Sequence, residues 1–455
     1  MAPRRYVGVG LLGYGNIGKE VFNYFREGRD YARVTRIAER RAGVRAPQAT
    51  KKLMTKRVQD VIADPSTEII VELTGDVEHA AKYMLDAIDH GKHVVTANKE
   101  VIAKHWPEIM ERASRRGVSV CFEATVGGGI PIVRAVQRHI SSDEIESFAG
   151  ILNGTCNFIL TRMTEYILRH LDDEAIQKRS LPLEDALAQA QRRGYAEPDP
   201  TNDLNGFDTK YKVAILANLA FATFVDPDDI YCEGIWTSDQ RIVPSDLYFL
   251  HHPRYLDGKY ALKLVGIAQR RDGRPVLRVH PALIETHGPL ADLAAVTESF
   301  NGIVVRGRRL GTQFLKGLGA GPRPTAISVA SDIREIASSV LRAEGGSKAS
   351  GPDVPTIGRR ATIGDVRRVR ARGFIRSFSP DIKGIYARKL AILARHNISV
   401  QSVVNVREFV YGRDKSMPDY IEIDYAPDGA VREALRAFRR LRGVRDPMYF
   451  RILEL

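Results

Sequence analysis

Over the first third of the chain, short apolar runs alternate with segments of helical spacing. Residues 6–12 form a strand-like run, a turn with Gly13, Gly15 and Gly18 follows, and GKEVFNYFREG, starting at Gly18, sets its apolar side chains three and four apart, as a helix does. Four more strand-like runs come after it: ARVTRIAE at 32–39, IIVELTG at 69–75, HVVTANK at 93–99 and VSVCFEATV at 118–126. Each is preceded by a helical segment, and that alternation predicts a parallel sheet with helices on both faces. After Pro131 the rhythm changes to a mixed region with a long helix from Asp208, strands ALKLVGIAQR and VLRVHPALI, and the glycine-dense GLGAGPRPTA at 317–326. The stretch AEGGSKASGPDVPTIG at 343–358 has the composition of a connector. Beyond it, GFIRSFS, IYARKLAILARH, ISVQSVV, DYIEIDY, AVREALRAFRRL and MYFRILE read as β, α, β, β, α, β, an order that packs two helices on one face of an antiparallel sheet.

Gly13, Tyr14, Gly15, Asn16, Ile17 and Gly18 spell GxGxxG between the first strand and the first helix. In that context the first glycine permits a tight turn, the second lets backbone approach a pyrophosphate, and the third allows close helix packing. The helix N-terminus then offers unpaired N–H groups and a dipole to the phosphates. The predicted fold class is therefore α/β: a Rossmann-type doubly wound parallel sheet over 1–133, completed by about 310–341, followed by an α+β substrate and dimerisation domain over 134–309. A linker is expected at 343–372 and a ferredoxin-like βαββαβ domain at 373–455. That last module resembles an ACT domain, a fold that often binds amino acids. It departs from many of them at the turn before the first helix, where Ser379, Pro380, Asp381, Ile382, Lys383 and Gly384 replace an Asp-x-Pro-Gly turn.

The end of the second strand bears on coenzyme choice, because a carboxylate there binds ribose hydroxyls and an arginine accepts a 2′-phosphate. Glu39 is followed at once by Arg40 and Arg41, with Lys56 and Arg57 further on. Guanidinium groups engage phosphate oxygens bidentately, so NADP(H) is expected in preference to NAD(H), with Arg40 among its contacts.

Composition narrows the class of partner. The chain has 455 residues, 44% hydrophobic and 27% charged, with a formal charge of +13. Residues 359–455 hold 21 Lys and Arg against 11 Asp and Glu, ten of the thirteen excess charges. No nucleic-acid signature accompanies them, so an arginine-rich solvated surface, including Arg436, Arg439 and Arg440 on a helix, is the reading, with no nucleic-acid partner. Cys121, Cys156 and Cys232 lie far apart and form no CxxC pair, so neither a zinc cluster nor a disulfide framework is indicated and a reducing compartment fits. The N-terminal apolar stretch runs into the glycine turn, not a cleavage site, and the apolar run from Val213 to Val225 is too short to span a bilayer. A cytoplasmic protein with no membrane partner is expected.

The candidate chemistry lies in GYAEPDPTNDLNGFDTKYKVAILANLAF at 194–221. Asp208 and Lys212 stand four apart on a helix starting near 205–208, so their side chains project from one face. A helix dipole in the early turns eases proton loss from Lys212, and the Asp208 carboxylate opposes it, a balance suited to proton transfer at a carbonyl or alcohol oxygen. Such a pair is commonly a surface ion pair, but Tyr211 and the following VAILANLAF predict a buried helix.

The same segment closely resembles the homoserine dehydrogenase signature, and the likeness extends through VELTG around Thr74, TANK ending at Lys99, FEATVGGGIPI at 122–132, ILNGTCNFIL at 151–160 and GLGAGPRPTA, covering roughly 8–335. The resemblance implies an NAD(P)H-dependent reduction of L-aspartate 4-semialdehyde to L-homoserine, with Lys212 as acid/base and Lys99 assisting near the nicotinamide. It implies that Glu197, Asp203 and Asp208 hold the amino-acid portion of the substrate and the lysine, with backbone contacts from Gly194. Gly13, Gly15, Asn16, Ile17, Gly18, Arg40, Thr74, Lys99 and Gly321 are the cofactor residues so implied. A carboxylate followed by irregular Gly-rich backbone can present oxygens to a hard cation, and the resemblance implies a structural sodium ion on Glu123 and the carbonyls of Val126, Gly128 and Ile130. It also implies a homodimer or higher homo-oligomer. Two other readings stay open at this point: an oxidoreductase acting on a different amino-acid semialdehyde or keto acid, and a non-catalytic nucleotide sensor with a basic C-terminal interaction domain.

Overall fold

The computed structural model describes residues 6–41, 47–173, 175–344, 355, 358–411 and 415–455. The chain divides into two compact units, the first made of Met1–Ile145, Tyr211–Pro227 and Gly317–Ala361, the second of Glu146–Lys210, Asp228–Lys316 and Thr362–Leu455. Of the predicted connector at 343–372, residues 345–354 and 356–357 lie outside the described residues.

The first unit is built on a six-stranded, wholly parallel sheet of β1 (Val7–Leu12), β2 (Ala32–Ala38), β3 (Met54–Thr55), β4 (Ile69–Glu72), β5 (His93–Thr96) and β6 (Val120–Cys121), in the order β3-β2-β1-β4-β5-β6. Parallel strands covered on both faces need unbroken apolar runs, and β1 and β4 are buried at every position. The helices Asn16–Phe25 and Pro322–Glu344 bury Val21, Phe22 and Phe25, and Val329, Ile333 and Ile336, in one cluster with Val7, Val9 and Leu11. The doubly wound parallel fold expected from the sequence is therefore present. Two details differ. β3 was not anticipated, because two residues carry no readable period. The run at 118–126 is a strand only at Val120–Cys121, after which Glu123–Thr125 turn in a 3-10 helix because the Glu123 carboxylate is drawn to backbone N–H groups further along.

The second unit holds a ten-stranded mixed sheet. Its path runs β12 (Gly311–Leu318), β11 (Phe300–Gly307), β7 (Ile145–Ile151), β9 (Tyr260–Arg271), β10 (Arg274–Glu285), β16 (Arg445–Ile452), β13 (Arg370–Ser379), β15 (Met417–Pro427) and β14 (Val400–Asn405), with β8 (Tyr231–Cys232) beside β10. The last four strands and the helices Ile385–Arg395 and Asp428–Arg439 form the expected βαββαβ module, antiparallel in the order β16-β13-β15-β14. Both helices pack on one face, where Ile375, Ile421 and Tyr449 meet Leu393, Val431 and Phe438. The module's sheet is continuous with the rest of the unit through a short parallel pairing of β10 with β16, Ala282 opposite Arg451 and Leu283 opposite Ile452. Its other face carries Tyr420, stacked at 3.9 Å on Phe249 of the helix Pro244–His251. No described helix is long and apolar enough to cross a membrane.

A charged pair is sealed inside this module. Lys389 and Asp419 are both fully buried, and the ammonium donates to both carboxylate oxygens at 2.7 Å, to Ser377 Oγ at 2.8 Å and to Ser379 Oγ. Removing one member of such a pair strands the other charge in a medium that cannot solvate it. Lys389→Met is expected to destabilise the second unit by about 3–5 kcal/mol, and the double variant Lys389→Met with Asp419→Leu to recover most of that loss. Urea unfolding followed by circular dichroism measures both.

Candidate active site

At the carboxyl end of β1, Gly13 has φ +102°, and a Cβ there would sit 2.6 Å from the Leu73 carbonyl oxygen. A Cβ on Gly18 would lie 2.4 Å from the Gly13 oxygen. Both positions therefore demand glycine. Gly15 is different: a Cβ there would meet only the Arg41 guanidinium, at 3.5 Å. Gly15 is also the N-cap of the helix Asn16–Phe25 and offers no side-chain acceptor to its first turn. The N–H groups of Asn16, Ile17 and Gly18 thus begin a helix beside an open backbone face, which fits a phosphate group.

Glu39 follows β2 and is buried. Its carboxylate accepts the Tyr14 N–H at 2.9 Å, the Arg41 N–H at 2.9 Å and the Arg41 side chain at 3.0 and 2.7 Å. The Arg41 side chain above all, with these backbone donors, holds the carboxyl down to about 2 against the cost of burial. Arg40, the arginine singled out from the sequence, pairs with Asp76 at 3.1 Å and is largely exposed. Arg41 is the guanidinium beside the glycine turn. The sequence offered both and no periodicity to choose between them.

At the ends of the neighbouring strands a second buried acid organises the backbone. Glu72, the last residue of β4, accepts the Thr74 N–H at 2.8 Å, the Thr74 hydroxyl at 2.7 Å and the Thr96 hydroxyl at 2.9 Å. Burial pushes this carboxyl above its ordinary value. Thr96 Oγ1 accepts the Asn98 N–H at 3.0 Å, and Asn98 Oδ1 caps the helix Lys99–Lys104 through the Val101 N–H at 3.2 Å. Thr74 and the half-buried Lys99 are thereby tied to one carboxylate through short chains of hydrogen bonds. Tyr211 donates at 3.2 Å to Glu100 Oε1, which also takes the Lys104 ammonium at 2.6 Å.

The candidate cation loop lies in the same unit. Glu123 accepts the Val133 and Arg134 N–H groups at 3.0 and 2.8 Å, capping the helix Ile132–Arg138, and burial pushes its carboxyl up to about 7. The Gly128 carbonyl accepts the Ser328 hydroxyl at 2.6 Å, and the Ile130 carbonyl accepts the Ile132 N–H at 2.8 Å. Val126 is buried beside them in sequence. These groups present oxygen atoms, each Glu123 carboxylate oxygen and the Gly128 and Ile130 carbonyls accepting one hydrogen bond, and an all-oxygen set is the kind that a hard cation takes. Gly321, with φ +118°, precedes the helix Pro322–Glu344.

In the second unit, Asp208 is buried at the start of the helix Phe207–Phe221 and Asp203 is half-buried just before it. Asn153 brings them together: its Nδ2 donates to Asp203 Oδ1 at 2.7 Å and to Asp208 Oδ2 at 2.9 Å. Sequence reasoning missed Asn153, although an Asn-Gly-Thr before a helical run is an N-cap pattern and could have marked it. Gly194 has φ +74° and is exposed. Glu197 is also exposed, its backbone carbonyl accepting Gln191 Nε2 at 3.2 Å. On the part of this helix that belongs to the first unit, Lys212, four residues after Asp208, is only 8% exposed. Among the described residues no group of three or more His, Cys, Asp or Glu side chains is arranged to hold a metal.

The chain resembles known proteins over most of its length. The family model described as homoserine dehydrogenase matches residues 131–333, and that of the homoserine dehydrogenase NAD binding domain matches 13–123. The chain is 33% identical to homoserine dehydrogenase of Bacillus subtilis (strain 168), over 96% of each chain. It is 32% identical to that of Synechocystis sp., over 98% of this chain and 100% of the other. The crystal structure of a homoserine dehydrogenase from Thiobacillus denitrificans superimposes with a TM-score of 0.82 at 31% identity, covering 99% of both chains. The chain belongs to the homoserine dehydrogenase family.

Proposed function

We propose that the chain is an NADP-preferring oxidoreductase that interconverts L-aspartate 4-semialdehyde and L-homoserine, in the biosynthesis of threonine, methionine and isoleucine. One observation carries the reading: an acid and a buried lysine, Asp208 and Lys212, stand one turn apart on a helix of a chain whose first strand ends in a glycine turn that opens a helix. The nicotinamide, when bound, supplies the hydride or takes it back. Lys212 gives its proton to the aldehyde oxygen as negative charge gathers there, and in reverse removes it from the alcohol. Lys99 assists with positive charge near the same oxygen. Asp203, Asp208 and Glu197 hold the amino-acid portion of the substrate, with Gly194 contributing backbone.

Gly13, Gly15, Asn16, Ile17 and Gly18 hold the pyrophosphate, and Thr74, Lys99 and Gly321 the remainder of the cofactor. The preference for NADP rests on Glu39. With Arg41 and two backbone N–H groups on its oxygens, this carboxylate has little acceptor capacity left for ribose hydroxyls. Arg40 and Arg41 are the groups that take the 2′-phosphate. Glu123 with the carbonyls of Val126, Gly128 and Ile130 would hold a structural sodium ion. The working form in this reading is a cytoplasmic homodimer or higher homo-oligomer, without nucleic-acid or membrane partners.

Loss of NADPH absorbance on adding aspartate semialdehyde tests the activity, and no loss refutes it. A panel of other semialdehydes and keto acids tests the substrate, since faster turnover of any of them would replace the assignment. Lys212→Ala is expected to keep NADPH and substrate binding while kcat falls by about 10²–10⁴; stopped-flow and equilibrium titration separate the two.

Arg41→Ala is expected to raise KM for NADPH about ten- to a hundredfold, the worth of a lost charge-assisted hydrogen bond. KM for NADH should change far less, and equal effects on both coenzymes would remove the phosphate role.

A further inference from the structure

We propose that Glu72 is a positioning residue for the nicotinamide half of the coenzyme: its carboxyl group sets where the turns bearing Thr74 and Lys99 stand beside the glycine turn. The proposal rests on the assignment of those two residues to the cofactor and adds to it the group that holds them in place.

Three neighbouring parallel strands end at one level. Leu12, Glu72 and Thr96 are the last residues of β1, β4 and β5, and the sheet register sets Leu12 opposite Glu72 and Glu72 opposite Thr96. From that level the chain enters the glycine turn, the Thr74 turn and the turn of Asn98 and Lys99. Adjacent strands lie about 4.8 Å apart, so the three turns cover about 10 Å. They do so at the carboxyl edge of the sheet, where open α/β sheets take their ligands. Glu72 is the middle member of the row.

Its side chain is fully buried and both of its oxygens are engaged. Oε1 accepts the N–H and the hydroxyl of Thr74, at 2.8 and 2.7 Å, which fixes the backbone and the side chain of that residue together. Oε2 accepts the Thr96 hydroxyl at 2.9 Å. The Thr96 oxygen in turn accepts the Asn98 N–H at 3.0 Å, and Asn98 caps the helix that Lys99 opens. Towards the glycine turn, the Leu73 N–H donates to the Leu12 carbonyl at 2.8 Å. One side chain therefore holds Thr74 directly and the start of the Lys99 helix through a single hydroxyl.

The chemistry of the group follows from its neighbours. Both sides present donors, and only a group with two acceptor oxygens takes all of them. Leucine would fill the space and leave the Thr74 and Thr96 donors without their acceptor. Glutamine stands between: its oxygen keeps both Thr74 bonds, and its nitrogen donates to the Thr96 oxygen, which has a lone pair left beside the Asn98 N–H. The strand ends then stay joined, with only the Thr96 proton unplaced. Thr96 is itself fully buried, so it acts on the coenzyme only through the residues it holds.

Calorimetric titration of the full-length protein with NADPH and with adenosine 2′,5′-bisphosphate separates positioning from a general loosening of the fold, because the second ligand carries the 2′-phosphate end and lacks the nicotinamide. Glu72→Leu is expected to raise the NADPH Kd about tenfold or more, and Thr96→Val about three- to tenfold, while the Kd for the bisphosphate stays within about twofold in both. Glu72→Gln is expected to bind NADPH within about threefold of wild type. Thr96→Val keeps the shape of the side chain and decides the matter by itself should Glu72→Leu fail to fold. An unchanged NADPH Kd in Thr96→Val, equal weakening of the two ligands, or a Glu72→Gln variant as weak as Glu72→Leu overturns the positioning role. Unchanged NADPH affinity in both Thr74→Ala and Lys99→Ala is a separate outcome, which overturns the cofactor assignment and the positioning role with it.

Discussion

A carboxylate taken out of water must be given donors, and the loops at the carboxyl ends of the parallel strands are shaped by meeting that demand three times. Glu39 after β2, Glu72 at the end of β4 and Glu123 after β6 are all buried. Each draws N–H or O–H groups of residues beyond its own strand: Tyr14 and Arg41, Thr74 and Thr96, Val133 and Arg134. The outcome differs with the donor. The Glu39 carboxylate has a guanidinium on it and is held far below the ordinary range, whereas Glu72 and Glu123 accept only neutral groups and burial wins, raising both. The glycine turn and the segments bearing Thr74 and Lys99 owe their shape to the first two of these acids.

The six parallel strands were legible in outline because a strand covered on both faces must be an unbroken apolar run, and the glycine turn was legible because Gly13 and Gly18 stand where no side chain fits. The strands β9 and β10 were readable as apolar runs, and the structure joins them through Asp272 and Gly273, both with positive φ as a two-residue turn requires. What escaped the sequence depended on contacts between distant residues. Asn153 lies 50 and 55 positions from the two acids it holds, and no local pattern carries that distance. Arg41 and Arg40 look alike in the sequence; only the fold puts one on Glu39 and the other on Asp76. Glu72 read as part of a strand, and its role in tying two strand ends needed the register of β4 against β5.

The charge of the C-terminal segment shows the same division between local and distant information. Arg436, Arg439 and Arg440 are exposed, as expected for a helix whose other face buries Val431, Ala434, Leu435 and Phe438. Arg376 and Arg451, on strands β13 and β16, are buried instead. Arg451 pairs with Asp428 at 2.6 Å and with Glu233 at 2.8 Å, and Arg376 lies 3.2 Å from Asp446 and 3.7 Å from Asp246. Net charge counts these arginines with the solvated ones, although their energetics are opposite.

Two of those partners, Asp246 and Glu233, precede the βαββαβ module by more than a hundred residues. Carboxylates from outside the module offset the burial of these two guanidiniums, so Arg376 and Arg451 tie the module's fold to its place in the second unit. The sheet pairing of β10 with β16 and the stacking of Phe249 on Tyr420 act in the same direction with apolar and backbone groups. A module held by buried charge, sheet continuity and aromatic packing is an integral layer of its unit. An event that displaced it would have to uncover Arg451 and Arg376 together with Asp246 and Glu233, four charges whose separation in a dry interior costs far more than the slackening of a linker.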